Sequence, residues 1–79
     1  MFLNFLQLEF PGAIWEYKGN DRQYLLLPNM KICFIIKDRR VCIPSRKREY
    51  KFPLREYDHK EKKVIAAIVH SIYIDFMVL

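Results

Sequence analysis

Residues 31–44 read Lys-Ile-Cys-Phe-Ile-Ile-Lys-Asp-Arg-Arg-Val-Cys-Ile-Pro (KICFIIKDRRVCIP). Ile32, Phe34, Ile35 and Ile36 are branched or aromatic, the side chains that pack best on a pleated surface. Asp38-Arg39 offers a tight turn, and Val41 to Ile43 returns as the partner strand. Pro44 ends that strand, because proline has no N–H to give to a ladder. A hairpin at this point sets the reading of everything around it.

Working toward the N-terminus, Gln23 to Leu27 reads as a strand and Pro28-Asn29 as a turn. Ala13 to Lys18 is a further strand, with Ile14, Trp15 and Tyr17. Gly19-Asn20 between them is a two-residue hairpin signal, since both residues tolerate positive φ. Leu3 to Phe10 also reads as a strand, because Leu6, Leu8 and Phe10 alternate with Gln7 and Glu9. Pro11-Gly12 supplies its turn. Working toward the C-terminus, Ser45 to Glu49 is a charged loop. Tyr50, Phe52 and Leu54 then share one face of a short strand, with Lys51 on the other, and Pro53 marks a sheet edge.

After Leu54 the period changes. Asp58 and Glu61 have the spacing of a capping box, with Asp58 in place of the usual Ser or Thr. Ile65, Ile68, Ile72 and Phe76 recur at helical spacing, joined by Val69 and Tyr73. The pattern predicts a helix from about 59 to 73. Ile72, Ile74, Phe76 and Val78 alternate as a strand would, so residues 74–79 fit either state. The expected architecture is α+β and β-dominated, one domain over residues 1–79. It is a five- or six-stranded meander over about 3–54 that forms a small bent antiparallel sheet or barrel, SH3-like or OB-like in general type, with one C-terminal helix.

The composition suits a small packed domain. The chain has 79 residues, 52% hydrophobic and 15% aromatic, with two Gly and four Pro. A chain this short buries only about 60% of its unfolded surface, so the aromatic content compensates for size. Met1 to Phe10 lacks the basic start of a secretory signal. Val64 to Leu79 is interrupted by His70, Ser71 and Asp75, and falls short of the ~20 apolar residues of a membrane span. A cytoplasmic protein is expected.

Charge is concentrated in one place. Lys37, Arg39, Arg40, Arg46, Lys47, Arg48, Lys51 and Arg55 are eight of the fourteen Lys and Arg residues, opposed within that block by Asp38 and Glu49 alone, a local net of +6. Residues 1–36 balance to zero and residues 56–79 carry −1, so the whole net charge of +5 is local. Such a footprint points to a polyanion, because arginine forks match phosphate oxygens. Tyr50, next to the second basic loop, would stack on an unpaired base. The expected partner is nucleic acid, or alternatively an acidic protein met by a regulator or inhibitor of viral or mobile-element type. The bland alternative is a solvated face.

Nothing in the chain assembles a catalytic or metal site, and no cofactor is expected. Cys33, Cys42, His59 and His70 are spaced C-x8-C and H-x10-H, without the close ligand pairs of a compact zinc site. Cys33 and Cys42 flank the central hairpin; in the expected compartment they stay reduced and buried, and a cross-strand disulfide is the alternative. His70 has no nucleophile within reach by sequence, and Gly12 and Gly19 do not make a phosphate loop. The last signal is the apolar C-terminal segment. Ile72, Ile74, Phe76 and Met77 exceed what one buried helix face needs, which predicts a homodimer or a docking surface; the alternative is a buried tail.

Overall fold

The computed structural model describes residues 3–77. Residues 12–54 form one compact unit, and the segments before and after it, through Pro11 and from Arg55, form another.

The first unit is a five-stranded antiparallel meander in the order β1-β2-β3-β4-β5. Its strands are β1 (Ile14–Lys18), β2 (Arg22–Leu27), β3 (Met30–Lys37), β4 (Arg40–Pro44) and β5 (Glu49–Pro53). The sheet is open, not a closed barrel. Pro53 lies in the edge strand, where a missing N–H costs no ladder bond. Asp38 and Arg39 both take positive φ, 53° and 58°, as a two-residue primed turn requires. The β1–β2 connection is one residue longer than its Gly-Asn signal, for Lys18 pairs with Arg22 across Gly19, Asn20 and Asp21. The extra residue is anchored: the Ile36 N–H donates to the Asp21 carbonyl at 2.7 Å.

Alternation along each strand separates the two faces. Leu25, Ile32, Phe34, Val41 and Ile43 are buried on the inner face, and Trp15 meets Phe34 there with ring centroids 5.4 Å apart. Each such side chain stabilises the fold by roughly 1.5–3 kcal/mol on burial. Gln23 is the one buried polar residue on that face.

The second unit contains the largest departure from the sequence reading. Residues 3–10 are not a strand. Leu6 N–H donates to Leu3 O, Gln7 to Asn4, Leu8 to Phe5 and Phe10 to Leu6, and Leu6–Glu9 is a single helical turn, α1. Leu3, Leu6 and Phe10 are buried while Leu8 is 84% exposed. The decisive spacing was therefore i, i+3, i+7, not period two. A short apolar run satisfies both templates, and tertiary packing chooses between them.

The C-terminal helix, α2, spans His59–Met77, four residues beyond the expected end at Tyr73. The apolar spacing continues through Phe76, so nothing in the chain stops the helix earlier. The strand alternative for residues 74–77 is excluded; residues 78 and 79 lie outside the described range. Ile65, Ala66 and Val69 are its buried face. Phe10 stacks on His70 with centroids 4.4 Å apart and lies 6.1 Å from the Tyr73 ring, while Phe5 meets Tyr57 edge-on at 6.5 Å. His70 is thus a packed histidine, and its Nε2 lies 3.4 Å from Glu9 Oε2.

Candidate anion-binding face of the sheet

The strand register sorts the charges. Glu16, Lys18, Arg22, Lys31, Lys37, Arg40, Glu49 and Lys51 are all the charged residues in the five strands. By alternation, all eight fall on the outer face, opposite Leu25, Phe34, Val41 and Ile43. Six cations against two carboxylates leave that face at +4. The inner face carries no strand charge at all.

One row crosses the whole sheet. Lys18 pairs with Arg22, Arg22 with Ile35, Ile35 with Cys42, and Cys42 with Lys51. Cations stand at both ends of the row, and Ile35 and Cys42 in its middle. In the next row Lys37 pairs with Arg40 and Arg40 with Pro53. Arg22, Lys37, Arg40 and Lys51 line an open concavity of about 680 Å³ around Ile35 and Cys42. Asp21, Asp38 and Glu49 also border it, and Glu49 pairs with Lys51 at 3.4 Å. A shallower concavity of about 480 Å³ adjoins it beside Arg39, Arg40, Lys51 and Phe52. Tyr24, beside Arg22 on the same face, holds the guanidinium pKa above its ordinary value.

The expected site residues divide into three groups. Lys37, Arg39, Arg40 and Lys51 converge at the end of the sheet where the β3–β4 turn lies. Arg46, Lys47 and Arg48 sit at the opposite end, because successive turns of a meander alternate ends. Four strand steps separate Arg40 from Pro44, about 13 Å. Ser45 closes that far loop: its N–H donates to the Arg48 carbonyl at 3.1 Å, and its Oγ accepts from the Arg48 N–H at 3.3 Å. Tyr50 is on the inner face, half-buried, with the Arg48 guanidinium 5.8 Å from its ring.

Arg55 belongs to the other unit. Its guanidinium forks onto the Glu61 carboxylate, with Nη1 donating to Oε1 at 2.7 Å and Nη2 to Oε2. That contact holds the Glu61 carboxyl below its usual range, and the Asp58 N–H adds to the shift.

Arg22, Lys18 and Lys31 were missed by counting charge along the chain, where Glu9, Glu16 and Asp21 cancel them. Strand alternation was the signal that would have found them. The expected interface residues are mixed in exposure: Ile72 is half-buried, Ile74 58%, Phe76 37% and Met77 53% exposed.

Both thiols are free, and Cys33 and Cys42 occupy diagonal outer-face positions on β3 and β4. Among the described residues no group of acidic, histidine or cysteine side chains is placed to hold a metal ion, and no helix is long and apolar enough to cross a membrane. No family model, curated protein or solved structure matches the chain.

Proposed function

We propose that this chain is a non-enzymatic binding module whose charged sheet face takes a polyanion, with nucleic acid the favoured ligand. The observation that supports this reading is the segregation of every strand charge to one face at a net of +4. Arg22, Lys37, Arg40 and Lys51 come from four different strands, so only the folded sheet gathers them. Guanidinium and ammonium groups held on strands are preorganised for phosphate oxygens. Arg46 and Lys47, in the β4–β5 turn, would extend the positive track along that hairpin, whereas Arg48 lies over the inner-face Tyr50 ring. A backbone running lengthwise on that hairpin would meet both groups.

The test is fluorescence anisotropy with duplex DNA, single-stranded DNA and RNA at low and moderate salt. Affinity should fall with log salt at about 0.9 per duplex phosphate neutralised, or about 0.7 on a single strand. Replacing Arg22, Arg40 and Lys51 together by Ala should flatten that slope. Absence of binding at low salt refutes the reading.

A second reading is supported by the other unit. Leu8, Val64, Ile74 and Met77 are more than half exposed there, which suits a module that docks on a protein or on its own copy. Complexes that survive nuclease treatment and are lost on replacing Ile74 and Met77 by Ser would favour it.

A further inference from the structure

We infer that the ligand of this face is single-stranded nucleic acid, whose bases lie on the apolar centre of the outer face while its phosphates meet the surrounding cations. The inference rests on the polyanion reading and narrows it. A duplex turns its phosphates outward and keeps its bases stacked inside, so a surface that reads only phosphates needs cations and no apolar floor. This face has both. The row from Arg22 to Lys51 carries cations at its ends and Ile35 and Cys42 between them, over about 14 Å for three strand spacings. Ile35 and Cys42 are half-buried and line the open concavity.

Tyr24 extends that floor. It lies on the same face, two residues along β2 from Arg22, and pairs with Cys33. Tyr24 is half-buried, Glu16 is its cross-strand partner on β1, and the Lys31 ammonium lies over the ring 5.0 Å from its centroid. One aromatic ring therefore has two cations, Arg22 and Lys31, and one carboxylate, Glu16, as its neighbours on this face. Single-strand binders combine these parts: a ring on which a base stacks, and cations within reach of the adjacent phosphates. The expected stacking residue Tyr50 is on the opposite face, so Tyr24 is the aromatic that shares a surface with the strand cations.

The experiment uses the full chain and three ligands of about 12 nucleotides, within the range of known single-strand footprints. They are a base-bearing single strand, an abasic strand with the same number of phosphates, and the duplex. Removing the bases should weaken binding about 10-fold or more, since each stacked base contributes that order of affinity. Tyr24→Leu keeps an apolar side chain and should bring the base-bearing strand toward the abasic affinity without changing the abasic one. Tyr24→Phe, which keeps the ring, should retain the difference. Equal affinity for all three ligands would overturn the inference and leave the polyanion reading standing. Failure of all three to bind at low salt would remove both.

Discussion

Asp58 and Glu61 cap the C-terminal helix reciprocally: the Glu61 N–H donates to Asp58 Oδ1 at 2.8 Å, and the Asp58 N–H donates to Glu61 Oε1 at 3.0 Å. Two backbone donors that the helix would leave unsatisfied find side-chain acceptors. Asp58→Ala removes one of them and should cost about 1 kcal/mol, read as a lower urea midpoint at unchanged slope. Asp58→Ser should restore most of it.

The Glu61 carboxyl also gives the fold a pH dependence. Its folded pKa lies below the usual glutamate value of 4.5, chiefly through Arg55. A depressed carboxyl contributes stability that is fully present above that value and drains as pH falls through the lower folded one. Stability measured from pH 6 down to pH 3 should therefore fall in the wild type. The Glu61→Gln variant should start lower and fall less over the same window. Parallel curves would sink this assignment.

Gln23 is 9% exposed, and its Oε1 has no hydrogen-bond partner. A buried acceptor left in that state costs about 1–3 kcal/mol. Gln23→Met keeps the volume and removes the polar atoms, so it should stabilise the chain by about 1 kcal/mol. A destabilised variant would mean that this oxygen is satisfied in solution.

Arg39 holds a φ of 58°, a conformation that costs a residue with a Cβ about 1–2 kcal/mol. Arg39→Gly relieves that strain and should raise stability by up to about 1 kcal/mol after the added unfolded-state entropy. On the proposed function it should weaken polyanion binding at the same time. Thermal melting and anisotropy on one sample separate the two effects.

Arg22 and Arg55 test the face assignment directly. Arg22→Ala should weaken nucleic-acid binding and reduce the salt slope by roughly one phosphate. Arg55→Ala should leave binding and slope unchanged and lower stability, because that guanidinium serves Glu61. The reverse pattern in a paired titration would overturn the placement of the site on the sheet.

Most of the meander was legible from the sequence. Branched and aromatic side chains over Lys31–Ile36 specify β structure locally, and Asp38-Arg39 and Pro28-Asn29 punctuate it. The helix start was legible too, since a capping box is written within four residues. Leu3–Phe10 was not, because a stretch of eight residues carries too few turns to separate period two from period 3.6. Leu3, Leu6 and Phe10 are buried together, and Phe5 and Phe10 pack on Tyr57, His70 and Tyr73, which lie far away in sequence.

The candidate site divides in the same way. The sequence alone determined the excess of positive charge and the alternation that places it on one side of each strand, because both are properties of neighbouring residues. Only the tertiary structure decided which cations stand together. Chain order groups Lys37 to Arg55, but the meander sends Arg46, Lys47 and Arg48 to the far end and Arg55 to a helix cap. It brings Arg22, 29 residues earlier, into the same row as Lys51. Strand pairing places residues about 4.8 Å apart whatever their separation along the chain, so electrostatic neighbourhood follows register rather than sequence distance.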